Sequence, residues 1–395
     1  MDGGKIRVYF ETYNKEECNG CTVCMLKCPK KAITMMEDKE GFLYPKINKN
    51  LCNNCGICKK ICTNNNSKQQ FNKTYLAFCK NKKILNDSSS GGVFYPLAKK
   101  IIEKDGLVCG VAFNEKLQAN HIIVEKIEDL VKLQGSKYVR SNINNTYVRI
   151  KEYLEQNRFV LFTGTPCQCN ALKVYLRKDY SKLYTCEIIC HSNPSPKVFE
   201  LYKKNIENIY NKKIKNIKFR DKSTGWKNQT PTIILDDNTI LYEKTYLLAF
   251  GKNIISRPSC HSCKFATSNR VSDFTIGDFW GIDKIDDTIK DNDTGISIFN
   301  INTIKGQELQ NEINELYLKE YTKEEAFRYN HNNASKKHKK RDKFFKKIET
   351  KTIDDSNIIK YMKRYAKGNI FIRIVNAVKY RIVDKIMVRL KKGKI

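Results

Sequence analysis

Sixteen cysteines are present, and the first eight repeat one spacing. Cys18, Cys21, Cys24 and Cys28 read C-x2-C-x2-C-x3-C-P with Pro29, and Cys52, Cys55, Cys58 and Cys62 read the same up to Thr63, which stands where the proline would be. Three thiolates spaced by two residues can hold three iron corners of one cubane, while the chain carries the fourth cysteine of each run to the other cluster. One 4Fe-4S cluster then takes Cys18, Cys21, Cys24 and Cys62, and the second takes Cys52, Cys55, Cys58 and Cys28, with Ala32, Ile33, Ile57 and Ile61 packed between them. A pair of structural zinc sites is the competing reading, but zinc knuckles rarely use four cysteines this close together and then repeat them. Proline orients the turn without ligating, so Thr63 removes nothing essential. Two clusters in line make a wire for single electrons.

This segment resembles a bacterial two-cluster 4Fe-4S ferredoxin domain. The opening residues, MDGGKIRVYFETYN, hold no basic segment followed by an apolar run, and even Ile370 to Leu390 is interrupted by Arg373, Lys379, Arg381 and Asp384. Neither a secretory signal nor a membrane span of ~18 apolar residues is therefore expected, and the chain reads as cytoplasmic, with thiols available to metal. Its 395 residues suggest two or three domains. Residues 1–66 form the first, closed by the polar run Thr63 to Gln70.

Residues 75–304 alternate short apolar runs with helical patterns. Strands are expected at Tyr75–Cys79, Leu107–Phe113, Phe159–Thr163 and Tyr184–Cys190, and helices at Val93–Glu103, Thr146–Gln156, Gln168–Leu176 and Pro196–Ile209. That alternation implies an α/β domain with a substantially parallel sheet. Lys215 to Glu243 reads as an antiparallel insertion or sheet edge, and residues 305–395 as a charged, mainly helical extension.

Six more cysteines follow residue 150, in the contexts Thr163-Gly-Thr-Pro-Cys167-Gln-Cys169, Cys186-Glu-Ile-Ile-Cys190-His191 and Arg257-Pro-Ser-Cys260-His-Ser-Cys263. Thr165 to Cys167 should lie at the carboxyl end of the sheet, where ligands gather in open α/β folds, and the next strand should bring Cys190 to the same edge. With Cys260 and Cys263 these could close a third 4Fe-4S site.

Those contexts, with Ser89-Ser90-Gly91-Gly92 and Asp273 followed by Ile276-Gly-Asp-Phe-Trp-Gly281, resemble the coenzyme F420 hydrogenase/dehydrogenase β-subunit family over about residues 1 to 300. The resemblance implies an iron–sulfur flavoprotein, with Cys167, Cys190, Cys260 and Cys263 matching the family's cluster cysteines and with FAD as second cofactor. Cys169 and Cys186 lie outside that pattern and stand as alternative ligands, and Ser192 replaces an expected glycine. The expected fold is thus an α+β ferredoxin-like two-cluster domain, an α/β flavin domain and a basic helical C-terminal extension.

Ser90, Gly91 and Gly92 form a small turn before a helix, suited to holding a pyrophosphate, with Thr165 at the sheet edge and Lys137 placed to neutralise a phosphate or a reduced flavin. A plain loop and a solvated lysine are the bland alternatives. No GxGxxG or P-loop is present, which disfavours a nicotinamide Rossmann site or an ATPase. Trp280 could cover a cofactor or belong to the core, Asp278 could position a substrate, and His191 and His261 flank proposed ligands. Cys79 and Cys109 read as buried thiols, and no residue is assigned as catalytic.

The formal charge is +31, and Lys336 to Ile395, with 21 basic and 5 acidic residues, holds +16 of it. Apolar residues from Phe371 to Leu390 recur at steps of three or four, so the tail could meet an anionic membrane surface at the inner face, meet an acidic partner, or pack on its own domain. Nucleic acid is a poorer fit, because no recognition motif accompanies the charge. The function expected is that of a flavin-dependent oxidoreductase coupling one-electron transfer to hydride chemistry, with a ferredoxin-like or other redox partner and a small-molecule hydride carrier or substrate. Its rivals are a non-catalytic electron-relay subunit and an iron–sulfur sensor that binds nucleic acid.

Overall fold

The computed structural model describes residues 9–62, 71–289, 293–330 and 332–366. Short helices, Val23–Leu26 and Ile57–Cys62, carry the middle or last cysteines of each N-terminal run. Between them β1 (Ile33–Glu37) and β2 (Leu43–Ile47) pair as an antiparallel hairpin. Its turn closes because the Asp38 carboxylate accepts the amides of Glu40 and Phe42, while Gly41 takes a φ of +86°, a value costly for a side-chain-bearing residue.

The main sheet contains β3 (Lys73–Cys79), β4 (Leu107–Phe113), β5 (Ala119–Val124), β6 (Val160–Gly164) and β7 (Leu183–Ile188). A separate three-stranded antiparallel sheet follows, made of β8 (Ile214–Asp221), β9 (Thr230–Leu235) and β10 (Ile240–Tyr242), so Lys215 to Glu243 is an insertion and not an edge. The main sheet is completed by β11 (Phe274–Asp278), β12 (Ser297–Ile301) and β13 (Leu316–Tyr321), in the order β13-β3-β12-β11-β7-β6-β4-β5.

Only β4, β6, β7 and β11 run parallel; β5 flanks them antiparallel on one side, and β12, β3 and β13 extend the sheet antiparallel on the other. The sheet is mixed, where a substantially parallel one is expected from the strand and helix alternation. Its parallel part arises where a helix returns the chain, as Pro166–Leu176 does between β6 and β7. Val160, Leu161 and Phe162 are fully buried, the continuous apolar run of a strand covered on both faces.

Past residue 304 the structure departs from a mainly helical extension. β13 lies there and pairs with β3 as the sheet's edge strand, and its alternation of apolar and charged residues, Leu-Tyr-Leu-Lys-Glu-Tyr, suits that place. Helices Arg341–Glu349 and Ile358–Ala366 then bury Phe344, Ile358 and Met362 in the core shared with the N-terminal domain. Arg341, only 2% exposed, pairs with Glu40 in the hairpin turn, 2.5 Å from Nη2 to Oε2. The first part of the basic region is therefore packed on the body. The stripe Phe371 to Leu390 lies outside the described residues. Among those described, no helix is long and apolar enough to cross a membrane.

Candidate metal centres and the adjoining cavity

The cysteines of the two N-terminal runs separate into two cavities, with the fourth members exchanged. Cys28, Cys52, Cys55 and Cys58 line an outer cavity of about 330 Å³, together with Ile33 and Ile57. Cys18, Cys21, Cys24 and Cys62 line an inner cavity of about 520 Å³, with Ile61 in its wall. Ala32 is buried, and its amide donates to Cys28 Sγ at 3.3 Å. Among the described residues no three His, Cys, Asp or Glu side chains converge on a single-ion position. Four sulfur donors around a cavity suit a cubane, each corner of which takes one thiolate.

The inner cavity is also lined by Cys167, Cys190, Cys260 and Cys263. The fold brings them there from three segments. β6 ends at Gly164, and Pro166 at the first helical position starts a helix at once, so Cys167 lies on its first turn. β7 is parallel to β6 and ends at Ile188, which leaves Cys190 two residues beyond the same edge. Cys260 sits in a short 3-10 helix, Pro258–Ser262, and Cys263 caps it.

Around these sulfurs, the Asn193 amide donates to Cys260 Sγ at 3.2 Å, and Thr165 Oγ1 lies 3.2 Å from Cys167 Sγ. Burial pushes the Cys21 and Cys263 thiols up to about 12 and raises Cys24, Cys190 and Cys260 as well. In low dielectric an unliganded thiol keeps its proton, and bound iron takes the proton's place.

A third cavity, about 270 Å³, opens at the carboxyl ends of β6, β7 and β11. Ser90, Gly92, Lys137 and Thr165 line it, so four of the five residues expected to hold a flavin share one cavity. Gly91 does not. Its amide donates to Ser297 Oγ at 2.8 Å, and a Cβ there would come within 2.3 Å of the Ala77 carbonyl oxygen, so this glycine serves strand packing. The helix Phe94–Glu103 starts at this cavity without a side-chain cap. Ser89 Oγ accepts from the Ser136 amide at 2.7 Å, which ties the serine turn to the loop carrying Lys137. Lys137 donates to the Gln134 carbonyl at 2.6 Å, and burial lowers its ammonium to about 8. Apolar walls, hydroxyls, a helix N-terminus and a lysine are a donor set that suits a flavin and its phosphates.

Other residues singled out from sequence take different places. Asp278 is clamped by Arg220, 2.8 Å from Nη1 to Oδ2, and by the Trp226 indole at 3.0 Å, so it anchors this wall of the cavity. Trp280 stacks on Trp226 at 4.8 Å and lines neither the inner nor the third cavity. Cys169 is fully buried in the core, and Cys186 lines the third cavity, so neither joins the quartet. Cys79 and Cys109 are buried. Ser192 needs no glycine, since its hydroxyl lies 2.8 Å from that of Ser256. Ser335 links the two histidines: its carbonyl meets His261 Nδ1 at 2.8 Å, and its hydroxyl donates to the His191 carbonyl at 2.5 Å.

Four residues that line these cavities or bond residues lining them were not legible as site residues. Asn193 lines both the inner and the third cavity. Lys222 donates to the carbonyls of Leu85 and Ser90 beside the serine turn, with its ammonium lowered by burial to about 8. Arg140 donates to Cys167 Sγ at 3.6 Å and Arg257 to the Cys18 carbonyl at 2.8 Å. Only the arginine before Pro258 had a sequence signal, its place beside the Cys260 pair.

Residues 157–326 match the family described as the C terminus of the coenzyme F420 hydrogenase/dehydrogenase beta subunit, and residues 17–66 match the 4Fe-4S dicluster domain. A similar solved structure is titled as a xenon derivative of the F420-reducing [NiFe] hydrogenase complex from Methanosarcina barkeri, at 18% identity, a TM-score of 0.43, and coverage of 73% of this chain and 90% of that one. No curated protein matches the chain.

Proposed function

From this chain's membership of the coenzyme F420 hydrogenase/dehydrogenase beta-subunit family, behind a 4Fe-4S dicluster domain, we infer an oxidoreductase in which a third 4Fe-4S cluster joins the N-terminal clusters to FAD. The observation that carries this is the inner cavity: an N-terminal quartet and the quartet Cys167, Cys190, Cys260 and Cys263 line one space. Bound there, iron–sulfur clusters exchange single electrons, and FAD exchanges electron pairs as hydride.

The chain's own part is positioning. Cys28, Cys52, Cys55 and Cys58 would hold the outermost cluster, the other N-terminal quartet the middle one, and the third quartet the one nearest the flavin cavity. Thr165 and Asn193 belong to both the inner and the third cavity by contact or lining, so they form the wall an electron crosses. Gly92, Ser89, the uncapped helix start and Lys137 would bind the FAD phosphates, and Arg220 fixes Asp278 at the opposite side. A ferredoxin-like or other redox protein would exchange electrons at the outer quartet, and a small-molecule carrier would exchange hydride. The basic tail would add a peripheral contact with an anionic surface.

Anaerobic purification, iron and sulfide analysis and flavin extraction test this. About twelve irons, four for each of three cubanes, and one releasable FAD are expected. Iron near eight removes the third cluster. Full iron with no FAD bound or taken up removes the flavin and favours the sensor.

A further inference from the structure

Three deeply buried arginines are each matched by a carboxylate: Arg220 by Asp278, Arg270 by Glu187 and Arg341 by Glu40. Arg257, 1% exposed, and the half-buried Arg140 have no carboxylate in an ion pair among the described residues. Among their neighbours are cysteine sulfurs, which become thiolates when a cluster is bound. Arg257, three residues before Cys260, has Nη2 3.8 Å from Cys18 Sγ and donates from it to the Leu43 carbonyl at 2.9 Å, while its backbone amide donates to the Asn193 carbonyl at 2.8 Å. Arg140 reaches Cys167 Sγ with Nη1 and the Gly20 carbonyl, in the loop between Cys18 and Cys21, with Nη2 at 3.3 Å. The Arg140 guanidinium thus joins Cys167 to the loop between Cys18 and Cys21, and the Arg257 side chain carries its cation from the segment preceding Cys260 to Cys18.

A buried cation without a counter-charge is costly, so these two arginines, which do not line the inner cavity but contact two of its sulfurs, Cys167 and Cys18, call for negative charge on those sulfurs. A cubane with four thiolates is an anion, and it gains a further negative charge on reduction. Two such clusters side by side repel, and the second electron is harder to add than the first. We propose that Arg140 and Arg257 form a cationic bridge shared by the inner N-terminal cluster and the third cluster, which lets both stay reduced at once. This rests on the third cluster of the proposed function. Each cluster takes one electron from an external one-electron donor, and no bond in the protein forms or breaks. The pair then holds the two electrons of one hydride, whose proton comes from solvent.

The test uses the full-length holoprotein with Arg140→Gln, Arg257→Gln and the corresponding lysine variants. Iron is counted, and dithionite titrations are followed by electron paramagnetic resonance. With about twelve irons retained, each glutamine variant should lower the midpoint potentials of the two clusters by about 59 mV, a tenfold change in a one-electron equilibrium. It should also weaken the signal of two spin-coupled reduced clusters, and lysine should restore much of both. Unmoved potentials at full iron overturn the bridge, as does a lysine variant no better than glutamine, which would make the role one of shape. Wild-type iron near eight overturns it through the missing third cluster, a failure the iron count identifies. Should Arg257→Gln not fold, the half-buried Arg140→Gln carries the test.

Discussion

The two N-terminal quartets share one spacing and meet opposite surroundings. The outer cavity has Cys55 exposed, with Lys30 and Lys59 in its wall. The inner cavity is roofed by the α/β domain: Cys18 is buried, Arg257 sits against it, and a further quartet shares the space. Local spacing selects which sulfurs cooperate. Tertiary cover decides what those sulfurs face, with a further cysteine quartet across the inner cavity and none across the outer one among the described residues.

The strongest way to break this contrast is Cys260→Ser. It should cost about four of twelve irons, leave the eight N-terminal irons in place and abolish the spin-coupled signal, because thiolate is the preferred ligand and the N-terminal quartets keep all their own cysteines. Flavin reduction by a hydride donor should persist while transfer onward to iron slows. Unchanged iron and transfer would show that Cys260 and Cys263 are not ligands. Next in size is the order of iron loss under a chelator with mild oxidant. Each quartet has one exposed cysteine, Cys55 and Cys62, but only the inner one has a buried member, Cys18, and lies against the α/β domain, so about four irons, those of the outer quartet, should leave in a fast phase, since reactivity at sulfur follows access. A single phase for all iron would erase the distinction.

Much of this was legible because cysteine spacing is local. The exchange of Cys28 and Cys62 between cavities follows from the spacing alone, and the parallel register of β6 and β7 brings Cys167 and Cys190 to one edge as the strand pattern implies. Strand direction elsewhere was not legible: β3 and β12 have apolar runs like those of β6, and only their connections make them antiparallel. β13 was hidden by the charges that suit an edge strand, and by the basic composition that follows it. The arginines were hidden for another reason. Arg140 is 27 residues from Cys167 and 120 from Gly20, so nothing local marks a guanidinium that acquires its role when two domains close.

That closure has its own anchor. Arg341 bonds Glu40 with both terminal nitrogens and the Ser256 carbonyl with Nε at 2.8 Å, joining the C-terminal helix to the hairpin turn and to the segment leading to Cys260. Arg341→Met leaves the partly buried Glu40 without its cation, a change that costs about 4 kcal/mol. The thermal midpoint should fall, and the slow phase of iron loss should approach the fast one, because the roof of the inner cavity loosens. A stable variant with two phases intact would place the closure elsewhere.

A smaller effect reports on the core beside Arg140 through pH. His121 is 4% exposed, stacked on Phe162 at 5.3 Å and bonded through Nε2 to the Thr163 carbonyl at 3.1 Å. Burial pushes its pKa from 6.5 down to about 4; the bond to Thr163 opposes this, and the positive charge of Arg140 adds to it. Above pH 6.5 the imidazole is neutral in folded and unfolded chains alike. Between 6.5 and 4 the unfolded chain binds the proton and the folded one does not, so stability falls as pH falls through that window, by about 3 kcal/mol at its lower end. The Asp237 carboxyl, held down to about 2 chiefly by the Lys212 side chain, acts only below the window, as its ordinary value is 3.8. His121→Gln should flatten the stability profile between pH 6.5 and 4 in denaturant titrations. Arg140→Gln should narrow the window from its acid side, because the folded histidine then takes up its proton at a higher pH and less stability is lost. A profile unaffected by His121→Gln would mean that the imidazole accepts its proton as readily in the fold as in the unfolded chain, and that the core there can carry a second positive charge beside Arg140.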